Sequence, residues 1–469
     1  MPLDESGMAD LENSPSAPSA SARQSWSSSP GFVLAAAGSA VGLGNLWGLT
    51  YRVALGEGMA FLVLYLVAVA LLGFPLLLAE LALGRRTRRS PVLATVAVGG
   101  ASWQPLGWLF PLSSALILGY YTVITGWVGR ALLAVLQGRL PTDQASAHAF
   151  FLRLSGGWAE GVAYLLALAL TAAVVATGVQ QGIERLSRWS MPALLVLLVG
   201  LLLWSASLTD ASARYEEALL RWRWSDWLDP RILRHAFSQA FFSLGLGSGA
   251  MLAYASHLGQ RDPLPRQAAV ITALDTGVGL LAVLIVVPLT STVVVGQEGG
   301  AGAVGTLFTA IPPGFASLGS AGPLLAAAFF FLASIAAVTS AVALLEVPVA
   351  VLMDHLHRGR AVTTWTTAAV VALLGLPALL NTDLLTASHD LFGGVVPIAS
   401  GLLLSLLMGW VAPQQLTEDL SRLPQPLLWG LLLILRWVAP LLLGGVLALS
   451  CVEIVQSPAI RLAMGTWFA

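Results

Sequence analysis

Asp275 stands in the run "QAAVITALDTGVGLLAVLIVV" (267 to 287), where it is the one charged residue. A carboxylate within an apolar span costs roughly 3 kcal/mol or more, and acids kept there usually mark ion pathways. Two glycine clusters also sit in apolar runs. "AGSAVGLGN" (37 to 45) carries three glycines and an asparagine, and "SLGLGSGA" (243 to 250) three glycines and two serines. Glycine in a helix interior costs roughly 1 kcal/mol relative to alanine, and in hydrocarbon every backbone group released by a break needs another partner. Carbonyls freed at such breaks are oxygen donors of the kind a hard cation takes. Each feature has a plainer reading. The glycines suit a small-residue packing face, Asn45 an interhelical hydrogen bond, and the hydroxyl pair Thr339 and Ser340 bonding back to the preceding turn.

The elements that position these residues are membrane helices. Of the 469 residues 57% are apolar and 10% charged, and mean hydropathy is +0.81, outside the range of a soluble domain. Apolar stretches predict eleven spans, at 31–54, 58–84, 103–137, 158–180, 184–208, 232–258, 267–297, 322–357, 361–381, 386–412 and 427–456. The glycine clusters fall in spans one and six. That spacing is expected where two inverted halves each contribute one discontinuous helix to a shared site.

Residues 1–22 are rich in Ser, Pro, Ala and acid and read as a flexible tail without the basic start of a signal peptide. All basic residues are arginine, and "GRRTRR" (84 to 89), "ERLSR" (184 to 188), "QRDPLPR" (260 to 266) and "HRGR" (357 to 360) fall on one side. The positive-inside rule makes that side cytoplasmic, with the N-terminus inside a cell membrane. The opposite loop carries Trp222, Trp224 and Trp227, read as indoles resting at the membrane interface. A net charge of -1 gives no sign of a nucleic-acid partner. The single Cys451 excludes an internal disulfide or cysteine metal cluster, and no motif suggests an enzyme.

At this point "GFVLAAAGSAVGLGNLW" (31 to 47) resembles the first helix of the neurotransmitter:sodium symporters, the family of the bacterial leucine transporter. "GFPLLLAELALGR" (73 to 85), "YYTVITGW" (120 to 127), "GVQQGIERLSRWSMP" (178 to 192), "QAFFSLGLGSGAMLAYAS" (239 to 256) and "TSAVALLEVPVA" (339 to 350) agree with it, colinearly from Arg23. The resemblance implies an all-α polytopic membrane protein of the leucine-transporter fold. Its parts would be a latch and first repeat at 23–208, an extracellular loop at 209–231, a second repeat at 232–412, and a final helix and tail at 413–469. The function implied is sodium-coupled import of an amino acid across the lipid bilayer, with no obligate protein partner.

By resemblance, one sodium site (Na1) takes the Ala40 carbonyl, Asn45, Ser243, Asp275 and the substrate carboxylate. The other (Na2) takes carbonyls of Gly38, Val41 and Ala336 with the hydroxyls of Thr339 and Ser340. Tyr121 matches the tyrosine that binds the substrate carboxylate, aided by the helix start after Gly44. Ala40, Ile117, Phe242, Gly245, Ser248, Ser340 and Leu344 match the rest of the pocket, with Phe242 as an aromatic lid. Relatives that carry monoamines place an aspartate at Gly42, so an amino acid is expected here. Gly245 and Ser248 are smaller than their counterparts, which suits a large hydrophobic or aromatic side chain. Tyr65, Gln239 and Ser243 match a chloride site, but the serine that completes it is Gly279. Asp275 then supplies the negative charge permanently, and chloride is not expected.

For the inner gate, Arg23 and Trp26 match the N-terminal latch and Asp354 its acidic partner. The outer gate departs from the pattern, because "WRFPY" reads "WGLTY" (47 to 51) and Gly48 replaces the arginine that pairs with the acid matched by Asp390. Arg52, one turn on, shares a face with position 48 and is its candidate substitute. The altered gate leaves an alternative function, a sodium-dependent sensor or a leaky, channel-like member of the same fold.

Overall fold

The structure, a computed structural model, describes residues 24–53, 57–208, 211–219, 223–259, 262–289, 302–421 and 423–456. Arg23, Trp222 and the tail 1–22 lie outside the described residues. Every regular element among them is helical.

The first expected span is two helices, α1 (Ser29–Ala40) and α2 (Gly44–Arg52), bent by 50° at their break. Then come α3 (Gly58–Thr87), α4 (Ala101–Leu136), α5 (Trp158–Ala176) and α6 (Val179–Ala206). The sixth span is split into α7 (Pro230–Ser243) and α8 (Ala250–Ala255). Next are α9 (Leu264–Leu289) and α10 (Gly319–Leu356), α11 (Arg360–Leu374), α12 (Thr382–Val411) and α13 (Gln425–Val452).

Eight of these helices are long and apolar enough to cross a bilayer alone, and the bent pair α1/α2 makes a ninth. The count of eleven is reached only by adding two interrupted segments, α7/α8 and α11 with the short helix Leu376–Leu380. No half of either has the ~20 residues that a 30 Å hydrocarbon core requires.

Local chemistry sets the helix starts that matter here. Ser28 accepts the N–H of Gly31 at the start of α1, and Asp229 that of Arg231 at the start of α7. Each is followed by a proline in the first turn, where the missing N–H would be unsatisfied in any case. Both interrupted helices thus enter the protein from a fixed cap and end at a glycine-rich break.

The core is built on α4 packed along α10, with α1 lodged against α6, α9 and α10, and α8 against α3. Phe32, Tyr65, Phe110, Trp127 and Phe241 are among the large side chains fully buried within it. Outward faces carry exposed Leu133, Leu203, Leu373 and Leu441. Exposed apolar faces of this kind mark contact with lipid rather than with water. The glycine-rich breaks of α1/α2 and α7/α8 lie inside, among the buried side chains.

Candidate substrate and ion site

The first break begins at Val41, whose ψ of 88° takes the chain out of the helix as its N–H makes a last 2.7 Å bond to the Ala37 carbonyl. The donors released next are met by side chains. Gly42 N–H donates to Asn45 Oδ1 at 3.2 Å, and Leu43 N–H to the Tyr121 hydroxyl at 3.1 Å. A Cβ at Gly42 would lie 2.6 Å from Ser340 Oγ and 3.1 Å from the Tyr121 hydroxyl. Glycine is what lets α4 and α10 approach the break.

In the second break Gly245, Gly247 and Gly249 all have positive φ, at 64°, 71° and 79°, a conformation glycine adopts at little cost. Gly247 N–H donates to Glu80 Oε1 on α3 at 2.8 Å, and the Ser248 carbonyl accepts from Ser114 Oγ on α4 at 2.8 Å. Ser248 Oγ closes the turn onto the Gly245 carbonyl at 2.6 Å. The freed backbone groups are therefore satisfied by neighbouring helices, as a break in hydrocarbon demands.

A cavity lies between the two breaks. Its lining includes Ala40, Gly44, Ile117, Tyr121, Phe242, Gly245, Ser248, Ser340 and Leu344, the full set expected for the pocket. The structure adds Phe241, Leu246, Ala250 and Pro397 to that wall, contributed by α7, the unwound turn, α8 and α12. The Phe242 ring lies against Gly44, where an added Cβ would be 2.6 Å from Cδ1.

Beside the cavity, Asn45, Ser243 and Asp275 form one buried cluster. Asn45 Nδ2 donates to Asp275 Oδ1 at 2.8 Å and to the Asp275 carbonyl at 3.0 Å, and lies 3.0 Å from Ser243 Oγ. Ser243 Oγ donates to Asp275 Oδ2 at 2.7 Å. A carboxylate, an amide and a hydroxyl meet here from α9, α2 and α7; the carboxylate and hydroxyl oxygens suit a hard cation, while the amide turns Nδ2 to them and its Oδ1 to the Gly42 N–H. Among the described residues no group of three His, Cys, Asp or Glu could hold a metal ion.

At the other expected ion site, Gly38, Val41, Ala336, Thr339 and Ser340 are all buried. A Cβ on Gly38 would be 3.6 Å from that of Thr339, so α1 and α10 are adjacent there. The two hydroxyls behave differently. Thr339 Oγ1 bonds back to the Ile335 and Ala336 carbonyls, each at 3.1 Å, the plainer reading left open for it. Ser340 Oγ crosses to the Ser39 carbonyl at 3.0 Å and ties α10 to the break.

The chloride-related positions are also grouped. The Tyr65 hydroxyl is 3.4 Å from Ser243 Oγ, and a Cβ on Gly279 would lie 3.5 Å from Asn45 Nδ2 and 3.9 Å from the Tyr65 hydroxyl. Gln239 instead donates to the Gly44 carbonyl at 2.9 Å. Its Oε1 is 2.7 Å from where a Cβ of residue 48 would be, so the amide fills the space an arginine side chain would use.

At the inner gate, Trp26 is buried, donating its indole N–H to the Tyr254 carbonyl at 3.0 Å, and Asp354 Oδ2 accepts the Ser90 N–H at 2.9 Å. At the outer side Arg52 lies 3.6 Å from Glu57 Oε1 and 3.1 Å from His235 Nδ1. Those partners were not anticipated from the sequence. Neither were Glu80, an acid in an apolar run whose signal equals that of Asp275, and His389, whose ring touches Phe242.

Two broken helices facing across a cavity, with a carboxylate–amide–hydroxyl cluster beside it, define a secondary transporter. The chain belongs to the sodium:neurotransmitter symporter family, whose model matches residues 23–151 and 156–459. A sodium-dependent transporter of Bacillus subtilis is 35% identical over 371 residues, covering 78% of this chain and 81% of that protein. One of Methanocaldococcus jannaschii is 30% identical, covering 93% of this chain and 92% of its own. The human sodium-dependent neutral amino acid transporter SLC6A17 is 27% identical over 56% of this chain and 40% of its own length. Among solved structures, that of MhsT in complex with L-phenylalanine superposes with a TM-score of 0.84 at 32% identity, covering 91% of this chain and 99% of that one. The leucine-transporter fold expected from the sequence is thereby borne out, and the protein is a multi-pass member of a family of sodium-dependent transporters, not of enzymes.

Proposed function

We propose that the protein imports an amino acid with a large hydrophobic or aromatic side chain, coupled to two sodium ions and independent of chloride, from outside a cell membrane to the cytoplasm where its N-terminus lies. The observation that carries this reading is the cavity between the breaks, which has polar groups at one end and small residues at the other. At the polar end stand the Tyr121 hydroxyl and the start of α2 after Gly44, where backbone N–H groups and the helix dipole favour a carboxylate. Asp275, Asn45 and Ser243 hold a sodium ion next to that carboxylate, so substrate and ion complete each other's site. Gly42 places no acid where an amine without a carboxylate would need one. At the other end the small residues Gly245 and Ser248 receive the side chain, under Phe242.

Binding of both ligands closes the two broken helices around the cavity, and opening on the cytoplasmic side releases them. Phenylalanine in the complex of the similar MhsT supports the aromatic preference. The sensor or leak reading rests on Gly48 and differs in one consequence, since such a protein binds substrate without concentrating it. Thermal-shift screening of the twenty amino acids with and without sodium tests the proposal. A ligand at about 100 times its dissociation constant adds roughly 2.7 kcal/mol, so Phe, Trp, Tyr, Met or Leu should raise the midpoint in sodium and not in potassium. A midpoint raised most by glycine, or equally in both salts, overturns it.

A further inference from the structure

We propose that His389 is the positioning residue of the outer lid, holding the Phe242 ring over the cavity where Gly48 stands in place of the family's arginine. The inference rests on the reading of that cavity as the substrate site. The imidazole is set among three rings from three other helices. Its centroid is 5.3 Å from that of Phe242 on α7 at an interplanar angle of 83°, 5.6 Å from Tyr120 on α4 at 87°, and 6.0 Å from Trp47 on α2 at 82°. Edge-to-face rings at these separations attract through their quadrupoles. His389 Nδ1 also lies 3.4 Å from the Tyr120 hydroxyl.

The backbone of α12 is shaped for this contact. A wide π-helical turn begins at His389 and runs to Val395, and such turns re-aim side chains at functional sites. Within that turn, a Cβ on Gly393 would stand 2.5 Å from the Tyr120 hydroxyl, 3.3 Å from His389 Nδ1 and 3.3 Å from Phe242 Cε2. The glycine lets the rings meet. Phe242 is both a wall of the cavity and a face of this cluster, so movement of α12 that withdraws His389 frees the lid, and its return seats it. Meanwhile Gln239 occupies the side of α2 where the arginine would stand. In this protein packing of rings takes over the closure that an exposed ion pair would provide, so closure responds little to salt.

The test uses two readouts in the full-length protein. The first places a reporter, Ser248→Cys, beneath the lid in a Cys451→Ser background, since Cys451 is the one native cysteine. Its labelling by a membrane-impermeant methanethiosulfonate is timed on intact cells in sodium without substrate. The second, in purified protein without the reporter, is the rate at which radiolabelled L-phenylalanine leaves in sodium. His389→Ala should speed both by about twofold to tenfold, the range that one edge-to-face contact supplies. His389→Phe should return both close to the parent, and His389→Gln, polar but without a ring, should not. Equal labelling rates in parent and His389→Ala, or Gln rescuing as well as Phe, overturns the inference. A parent that labels as described but retains no phenylalanine counts against the substrate reading instead, because the labelling comparison needs no substrate.

Discussion

Replacing Asp275 by asparagine keeps the shape of the side chain and removes its charge. Asn45 Nδ2 and Ser243 Oγ each donate to a different oxygen of this carboxylate, at 2.8 Å and 2.7 Å. In the amide one of those oxygens becomes a donor, leaving a buried donor unpaired at a cost of about 1–3 kcal/mol. The lost charge is the larger effect on the ion. Unit charges 4 Å apart attract by about 4 kcal/mol at an effective dielectric constant of 20, so sodium affinity should fall by roughly two to three orders of magnitude. Adding Gly279→Ser puts a hydroxyl beside Asn45 and the Tyr65 hydroxyl, where an anion can balance the sodium charge. The assay is the sodium dependence of radiolabelled phenylalanine binding, with chloride present or replaced by gluconate. Wild type should be indifferent to the anion, Asp275→Asn should need far more sodium, and the double variant should recover only in chloride. A wild type that needs chloride, or a single variant with unchanged sodium dependence, refutes the reasoning.

Two further substitutions probe the second break. Ser248→Phe adds a ring to the end of the cavity lined by Gly245 and Ser248, so competition binding should shift preference from Phe and Trp towards smaller amino acids, and an unchanged ranking contradicts the pocket assignment. Gly247→Ala places a Cβ 2.1 Å from the Pro397 carbonyl oxygen at a φ of 71°; strain and overpacking together should cost about 2–5 kcal/mol, read as a clear drop in the thermal midpoint in detergent, and an unaltered midpoint refutes it.

The breaks were legible because glycine and asparagine are costly in a membrane helix, and both clusters are broken in the structure. Asp275 was legible for the same reason, its charge being unaffordable without partners. Span nine was read as continuous because hydropathy registers apolar content and not the turn at Gly375. Thr339 shows the limit for hydroxyls, since bonding to one's own helix and facing an ion look alike in sequence. The outer side was the least legible. Position 48 suggested a missing charge, but that Gln239 fills the space, that Arg52 meets Glu57 and His235, and that His389 gathers three rings all depend on contacts between distant helices. No local periodicity encodes them.

In the proposed transport cycle the cavity binds an amino acid together with sodium and moves both. Its most direct test is uptake of radiolabelled phenylalanine into proteoliposomes with an inward sodium gradient and an inside-negative potential. Two sodium ions with a zwitterion carry two charges, worth roughly 4.6 kcal/mol per 100 mV, or about a thousandfold accumulation before the sodium gradient is counted. Uptake should be concentrative, should rise with the potential, and should vanish when potassium replaces sodium. Uptake undiminished in potassium, or binding in sodium with no accumulation above the external concentration, would contradict it.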